Sequence, residues 1–374
     1  MTDPEQGMRS CSEGFRTIWL AADETVRIID QRQLPHDYVV TGLETWQDGY
    51  RAIADMLVRG APLIGATAAF SLYLAARQGG RAEFDRALEQ LPESRPTAVN
   101  LRWALDRVAG IASSGDEQTL VDRVRDEALA ICDEDVDISL GIGRHGLELI
   151  RSVAATKGGE PVNVLTHCNA GALATLNYGT ATAPVYLAHE AGIPVHVWVD
   201  ETRPRNQGSQ LTAYELAHNG VPHTLVVDNT GGHLMQHGMV DLVITGTDRT
   251  TRSGDVANKI GTYLKALAAA DNDVPFYVAL PSTTIDWSID DGIRDIPIEQ
   301  RDPAEVTDIY GVSDGARRTV RTIGSDTPSA NYAFDVTPAR LVTGLITERG
   351  IAAASQSGLA GLFPDLAGQS QASA

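Results

Sequence analysis

The stretch Val162-Asn163-Val164-Leu165-Thr166-His167-Cys168-Asn169-Ala170-Gly171 decides the fold. It opens with an apolar run that is typical of a β-strand, and a polar turn containing glycine follows directly. Four further runs share this arrangement: VHVWV at 195–199, HTLVV at 223–227, DLVIT at 241–245 and PFYVAL at 275–280. Helical segments lie between them. Strand runs that alternate with helices predict βαβ units, so we expect an α/β fold with a parallel sheet here.

The chain before this stretch has a different pattern of apolar residues. One β-like run covers 26–30, and helical spacing of apolar residues follows over 45–58, 97–112 and 122–153, with Pro62 opening another helix. The pattern predicts an N-terminal domain over 1–155, mainly helical with short β segments. An α/β domain is expected over 156–366, including a last helix at about 337–348, and a flexible tail over 367–374.

Composition limits the possible partners and locations. The chain has 374 residues, enough for two domains, and a net charge of −19 that disfavours nucleic acid and anionic membranes. It contains no apolar run long enough to span a membrane, and its first sixteen residues lack an apolar signal core. We therefore expect a cytoplasmic protein. We interpret the acidic composition as a contribution to solubility, and adaptation to a saline habitat is the alternative interpretation.

Two kinds of site motif, for metal ions and for dinucleotides, bear on the function. The three cysteines are sparse, which indicates a reducing compartment, and the sequence has neither a CxxC nor an HExxH pattern, so we expect no metal site. Gly141, Gly143 and Gly146 form GxGxxG, the fingerprint of dinucleotide binding. The helical period of apolar residues continues through the motif, and no strand directly precedes it. We expect these glycines to serve helix packing, and we expect no cofactor.

Polar clusters follow several of the predicted strands. They occupy 166–171, 200–204 with Gln207 just beyond, 246–249 and, shortly afterwards, 254–259. The carboxyl ends of parallel strands meet at one edge of a sheet, and ligands bind there in open α/β folds. That edge would collect a thiol, carboxylates, amides and a lysine, which predicts an active site.

Each candidate also has a purely structural interpretation. Cysteine is often a small buried hydrophobe, although a place at a strand–helix turn would lower the pKa of the Cys168 thiol. Asp248 could cap a helix or pair with Arg249, and Lys259 could be a solvated helix residue. Residue chemistry alone leaves both interpretations open.

Eight segments in order resemble the methylthioribose-1-phosphate isomerase family. They are RGAP at 59–62, RPTAVNL at 95–101, THCNAGALAT at 166–175, ETRP at 201–204, Gln207-Gly208, GTDR at 246–249, GDVANKIGTY at 254–263 and AFDVTP at 333–338. The resemblance covers about 16–352. Its superfamily also contains ribose-1,5-bisphosphate isomerases and regulatory subunits of the translation-initiation guanine-nucleotide exchange factor.

The resemblance implies a helical N-terminal domain, a Rossmann-like α/β domain and a homodimer. It also implies an aldose–ketose isomerase of methionine salvage, which converts 5-methylthioribose 1-phosphate to 5-methylthioribulose 1-phosphate without a metal or cofactor. Cys168 and Asp248 would be catalytic. The residues implied to bind the sugar phosphate are Arg59, Gly60, Ala61, Arg95, Gln207, Asn258 and Lys259.

The residues that differ from the family pattern leave Cys168 and Asp248 in place, and they bear on the identity of the substrate. They are Arg205-Asn206, Thr247, Thr250 and Tyr332, and they leave the group on C5 of the sugar open. Ribose 1,5-bisphosphate and 5-deoxyribose 1-phosphate are the rival substrates. A non-catalytic exchange-factor subunit is the rival of another class, and it would need neither Cys168 nor Asp248.

The substrate class suggests a mechanism. A sugar phosphorylated on its anomeric oxygen cannot open its ring freely, so the enzyme must protonate the ring oxygen. Asp248 would donate that proton. Cys168 would then carry hydrogen from C2 to C1 as a base, or would shape the site while a hydride moves between the two carbons.

Overall fold

The computed structural model describes residues 7–8, 10–95, 99–324 and 326–368. Several sequence predictions fall partly outside these ranges. They are the first residues of the N-terminal domain, residues 96–98 of the RPTAVNL segment with the predicted start of the third helix, and the tail beyond residue 368.

The strands and helices follow in chain order. They are β1 (Ile18–Leu20), β2 (Val26–Ile29), β3 (Val40–Leu43), α1 (Trp46–Ala54), α2 (Ala61–Gln90), α3 (Val99–Ser113), α4 (Leu120–Ala154), β4 (Val162–His167), α5 (Ala183–Glu190), β5 (Val195–Asp200), α6 (Ala213–His218), β6 (His223–Val226), α7 (Thr230–Gln236), β7 (Leu242–Thr245), β8 (Arg249–Thr251), β9 (Val256–Lys259), α8 (Thr262–Asp271), β10 (Phe276–Ala279), β11 (Ile285–Asp286), α9 (Gly292–Asp295), α10 (Ala304–Thr307), β12 (Asp308–Ser313), β13 (Ala316–Arg321), β14 (Phe334–Thr337), β15 (Gly344–Thr347), β16 (Gly350–Ala352), α11 (Gln356–Leu362) and α12 (Pro364–Ala367).

The N-terminal part is built on four helices, as predicted. Helix α1 begins at a capping box in which Thr45 and Asp48 bond each other's backbone N–H groups, and Pro62 lies in the first turn of α2. The prediction of one strand in this part was incomplete, because three strands, β1, β2 and β3, form an antiparallel sheet. These strands have only three or four residues each, too short to show a clear period in the sequence.

The main sheet has seven strands in the order β16-β15-β10-β7-β4-β5-β6. All five predicted strands lie in it and pair in parallel, and β16 pairs antiparallel at one edge. Counted along the chain, the six parallel strands have the doubly wound order 3-2-1-4-5-6. The predicted fold class, a helical N-terminal part followed by a Rossmann-like parallel sheet, is therefore confirmed.

The predicted last helix at 337–348 is wrong. Strand β14 ends at Thr337 and strand β15 runs from Gly344, beside β10, with Leu345 paired to Val278. Every residue of β15 is buried. A strand that is covered on both faces lacks the apolar–polar alternation of a half-buried strand, so its apolar residues imitated a helical period.

The glycines of GxGxxG lie in the middle of α4, and their packing role is confirmed. A Cβ atom on Gly146 would come within 2.4 Å of Pro184 Cγ, and one on Gly143 within 2.8 Å of Leu187 Cδ1. Both contacts are with α5. The missing side chains thus allow α4 and α5 to pack closely.

Two further sheets were not predicted. Strands β11, β8, β9 and β14 form a small sheet in that order, and β12 and β13 form an exposed hairpin. The small sheet lies between the main-sheet strands in sequence, and it carries the segment 256–259.

The buried apolar residues form three clusters. One consists almost entirely of residues from the N-terminal helices and strands. A second, on the main sheet, also includes Met8, Cys11, Phe15, Ile29 and Leu34. Residues on both sides of position 155 thus share a core, and the domain division at that position stays a prediction. None of the helices in the described ranges is long and apolar enough to cross a membrane.

Candidate active site

The two predicted catalytic residues lie at the point where the order of the main sheet reverses. Cys168 directly follows β4, and Asp248 follows β7, with Gly246 and Thr247 between. Strands β4 and β7 are neighbours, and Leu165 pairs with Val243. Crevices at such switch points are the usual ligand sites of open α/β sheets. The predicted meeting of these residues at one carboxyl edge is confirmed.

Cys168 has an unusual backbone conformation. Its φ angle is +67°, in the left-handed region that residues with a Cβ atom seldom adopt. Its N–H donates to Thr202 Oγ1 at 2.9 Å, and its carbonyl accepts from Thr212 Oγ1 at 2.6 Å. Two threonines from the β5–α6 connection therefore hold the turn that presents the thiol.

Burial raises the pKa of the Cys168 thiol. The positive charges of Arg59 and Lys259 oppose that rise, and the charge of Asp248 adds to it. The side chain is only 7% exposed. The expected help from a helix N-terminus is wrong, because the first α-helix after Cys168 begins only at Ala183. In the free site Cys168 is therefore a thiol at neutral pH.

Asp248 lies half-buried in the turn between β7 and β8. Its N–H donates to the carbonyl of Ala257 at 2.9 Å, which ties the turn to β9. A small cleft is lined by Asp248 together with Ala61, Arg95 and Phe334. Burial lowers the pKa of Arg95 and of Lys259, and the Asp248 carboxylate opposes that change in both, so it lies within electrostatic reach of two cations.

The segment Arg59-Gly60-Ala61 begins helix α2 beside the turn after Cys168. Gly60 has a φ angle of +94°, and a Cβ atom there would lie 2.3 Å from the carbonyl oxygen of Ala174. Only glycine fits this position. Arg59 donates from Nη1 to Asn169 Oδ1, and from Nη2 to the Asn169 carbonyl at 2.7 Å.

Arg95 is a buried guanidinium with spare hydrogen-bonding capacity. Its nearest carboxylate is that of Glu299, 4.0 Å from Nε, and the buried Nη1 has no partner among the described residues. Burial lowers the pKa of Arg95, while Glu299 and Asp248 oppose that change. Leaving a buried N–H unpaired is costly, so the site is suited to receive an anion.

Gln207 lines a cavity that borders Arg59 but is not lined by Cys168 or Asp248. This cavity of about 600 Å³ is bordered by Gln207, Arg59, Met56, Leu211 and Tyr310, among others. The side chain of Gln207 is buried, and its Oε1 bonds to nothing within the described ranges. A ligand hydroxyl could donate to this oxygen.

Asn258 and Lys259 end strand β9 and are both buried. The suggestion that Lys259 is a solvated helix residue is therefore wrong. Burial lowers the pKa of Lys259, and Cys168 and Asp248 oppose that change. Lys259 Nζ lies 4.6 Å from the centre of the Phe334 ring, and Asn258 Nδ2 donates to Thr262 Oγ1 at 2.9 Å. The chain thus places a desolvated cation within electrostatic reach of Cys168 and Asp248.

A buried charge network behind the site was missed. Asp200 Oδ2 lies 2.5 Å from His167 Nδ1 and 2.7 Å from Lys265 Nζ, and His167 Nε2 bonds the Ile260 carbonyl at 2.8 Å. Both ring nitrogens of His167 thus face oxygen atoms of neighbouring groups. His167 and Asp200 stand in the strand-end clusters, but Lys265 has no signal in the sequence because its helix resembles a surface helix.

A model of the Initiation factor 2 subunit family matches residues 57–354, so the chain belongs to that family. Within it, the methylthioribose-1-phosphate isomerase of Rhodospirillum centenum is 59% identical over 361 residues, which cover 95% of this chain and 96% of the relative. The resemblance seen in the eight sequence segments is thereby confirmed.

Two solved structures share the fold over almost the whole chain. The 5-methylthioribose 1-phosphate isomerase of Pyrococcus horikoshii OT3 has a TM-score of 0.81 and 37% identity, and the match covers 97% of this chain and 100% of that one. The translation initiation factor eIF-2B, subunit delta, from A. fulgidus has a TM-score of 0.77 and 35% identity, with 94% and 100% covered.

Proposed function

We propose that this protein is an aldose–ketose isomerase that converts 5-methylthioribose 1-phosphate to 5-methylthioribulose 1-phosphate. One observation of the structure carries the proposal. Cys168 and Asp248 meet at the switch point of the sheet, and the charges of Arg59, Arg95 and Lys259 act on this pair or on each other. A candidate acid–base pair close to three cations suits an anionic sugar.

The remaining predicted residues receive roles as binding groups. Arg95 and Lys259 would balance the phosphate charge, because Lys259 and the Nη1 atom of Arg95 are buried, and that Nη1 is unpaired among the residues described. Arg59 would add its remaining N–H donors, and the backbone at Gly60 and Ala61 would contribute at the start of α2. Gln207 and Asn258 would bond the sugar hydroxyls.

In the proton-transfer route the atoms balance without an outside reagent. Asp248 gives its proton to the ring oxygen as the bond between C1 and that oxygen breaks. This route requires the minor thiolate form of Cys168, because burial favours the thiol; that thiolate takes the proton from C2, which leaves an enol phosphate. Cys168 returns the proton to C1, and the hydroxyl proton on O2 passes to the Asp248 carboxylate as the C2 ketone forms.

The hydride route uses the same opening step. The hydrogen on C2 then moves with its electron pair to C1, and Asp248 again receives the O2 proton. Cys168 keeps its own proton throughout, which agrees with the raised pKa of its buried thiol. Substrate deuterated at C2 distinguishes the routes: deuterium lost to solvent requires proton transfer, whereas full retention supports the hydride shift.

Replacing the catalytic pair tests the proposal directly. We expect Cys168→Ser and Asp248→Asn each to lower kcat by at least about 10²-fold, because each removes a group that acts on the reacting atoms. Phosphorus NMR on methylthioribose 1-phosphate follows aldose and ketose phosphates together. Circular dichroism confirms folding, and Cys132→Ser, a change at another buried cysteine, serves as the control.

Two outcomes would contradict it. A variant of either residue with near-normal kcat would remove the role assigned to that residue. A folded wild-type protein that turns over no sugar 1-phosphate would instead favour a non-catalytic subunit related to the exchange-factor neighbour.

The larger cavity supports an uncharged group on C5. Besides Arg59 it contains Arg32, Arg205 and Arg317, and each of these faces a carboxylate. A second phosphate would have to displace those partners. We expect the 5-methylthio substrate to exceed ribose 1,5-bisphosphate in kcat/KM when both are assayed. A higher value for the bisphosphate would identify it as the substrate.

We also propose a homodimer and a cytoplasmic location. Strand β6 forms an edge of the main sheet, and Leu225 and Val227 there are 45% and 68% exposed. An edge strand with exposed apolar side chains is suited to pairing with a second copy. The three free cysteines agree with a reducing compartment.

Light scattering coupled to size exclusion tests the dimer. We expect Val227→Lys to shift the protein towards monomer. Ile293→Lys, an equally exposed position on α9, serves as the matched control and should remain dimeric. A wild-type monomer, or a dimer unaffected by Val227→Lys, would contradict this interface.

A further inference from the structure

We infer that Glu215 is a positioning residue for the active site: its carboxylate fixes the side-chain amide of Asn169, and Asn169 in turn holds the guanidinium of Arg59. The inference deepens the proposed function, and it rests on that function only for the role of Arg59 towards the sugar phosphate.

The carboxylate of Glu215 is fully buried and fully bonded. Glu215 lies on α6 with no exposed surface. Its Oε1 accepts from Asn169 Nδ2 at 2.9 Å and from the Leu173 N–H at 2.8 Å. Its Oε2 accepts from the Ala172 N–H at 2.8 Å and from the Tyr186 hydroxyl at 3.0 Å. Four converging donors require an acceptor on both oxygens, which a carboxylate provides and an amide does not.

The charge of Glu215 sets the orientation of the Asn169 amide. Nδ2 donates to Glu215 and, at 3.2 Å, to Thr212 Oγ1, so Oδ1 faces Arg59. A flipped amide would place its NH₂ group against the guanidinium, donor against donor, and its oxygen against the carboxylate. The observed orientation is therefore the only one that satisfies both neighbours.

The same hydrogen-bond network extends to the turn that contains Cys168. Thr212, which accepts from Asn169, also donates to the carbonyl of Cys168. Thr212 ends a π-helical turn, Gly208–Thr212, which leads directly into α6, and such turns are frequent at functional sites. A Cβ atom on Gly171 would lie 1.9 Å from Glu215 Oε2, so this glycine is required by the contact. The turn after Cys168 thus packs closely around the carboxylate of Glu215.

Arg59 connects this arrangement to the reactivity of Cys168. The charged groups that act on the thiol are Arg59 from the start of α2, Lys259 from β9 and Asp248 from the β7–β8 turn. Of these three, Arg59 is the one that Asn169 holds. If the guanidinium loses its fixed position, its stabilisation of the thiolate should weaken while the contributions of Lys259 and Asp248 remain.

The test is the alkylation rate of Cys168 by iodoacetamide across pH 7–10, measured by peptide mapping so that Cys11 and Cys132 are followed separately. We expect Glu215→Gln to slow the reaction at pH 8 by about tenfold and to move its midpoint to higher pH, the size of effect expected when a nearby opposite charge is lost. Tyr186→Phe removes one bond to the same carboxylate without touching Asn169, and its rate should remain within about twofold of wild type.

A double-mutant cycle separates positioning from general damage. In an Arg59→Ala background, Glu215→Gln should cause little further slowing, because the group through which it acts is gone. Equal slowing in both backgrounds would overturn the inference. If Glu215→Gln fails to fold, Asn169→Ala is put through the same cycle with the same two outcomes. Alkylation needs no turnover, so the result stands apart from any failure of the isomerase assay.

Discussion

At the scale of single residues, the site is defined by buried charges rather than by exposed reactive groups. The thiol of Cys168 and the amine of Lys259 each lie next to groups that oppose the effect of burial on their pKa. A phosphate dianion would change this balance, because it pairs with the cations that now act on the thiol. We expect Arg59→Ala mainly to raise KM for the sugar phosphate, by about tenfold or more, since a charge-assisted contact would be lost.

The buried carboxyl of Asp135 contributes to the pH dependence of stability. Burial raises the pKa of Asp135, on α4, to about 7, and its Oδ2 accepts from the Leu176 N–H. An unfolded Asp ionises near pH 3.9. Between about pH 4 and 7 the folded chain keeps a proton that the unfolded chain loses, so this group lowers the free energy of unfolding as pH rises, by at most about 1.4 kcal/mol per unit.

Asp135→Asn should therefore stabilise the protein at pH 8, because the amide still accepts from Leu176 but carries no charge. The free energy of unfolding in urea at pH 5 and pH 8 measures this, and the difference between the two values should shrink. Asp137→Asn, an exposed position on the same helix, is the control and should leave both values unchanged. A destabilised Asp135→Asn variant at pH 8 would contradict the argument.

At the scale of elements, the sequence predicted what has a clear period and missed what does not. The long helices and five parallel strands were found because their apolar spacing continues over many residues. Strand β15 was taken for a helix, since burial on both faces removed its alternation. The small sheet that carries Asn258 and Lys259 escaped because its strands have two to four residues. Of the site, motifs supplied the residues, but only the fold shows that Lys259 and the Nη1 atom of Arg95 are buried.

The packing of α4 against α5 provides a prediction at this scale. Gly146→Ala should destabilise the protein by about 1–3 kcal/mol, because its Cβ would overlap Pro184. Gly110→Ala is the matched helical control: it lies exposed on α3 with nothing within 4 Å, and it should be neutral or stabilising by up to about 1 kcal/mol. The unfolding temperatures of both variants measure these two effects. Equal effects would contradict close packing at Gly146.

At the scale of the whole molecule, the net charge of −19 acts against the compact state. Screening lengths fall from about 30 Å at 0.01 M salt to about 10 Å at 0.1 M. We expect the unfolding temperature to rise over this range, and sodium and potassium chloride should give the same curve. A fall would mean that attractive surface pairs outweigh the repulsion.

The N-terminal segment has a consequence for how the protein is made. Cys11 donates its N–H to Asn219 Oδ1 at 2.9 Å, and its carbonyl accepts from Asn177 Nδ2 at 3.1 Å. Cys11 thus meets its partner Asn219 only after some two hundred further residues have been translated. Until then Met8, Cys11 and Phe15 have no sheet to cover. During that time the nascent chain carries this apolar segment uncovered, so its burial depends on contacts that are distant in sequence and form late.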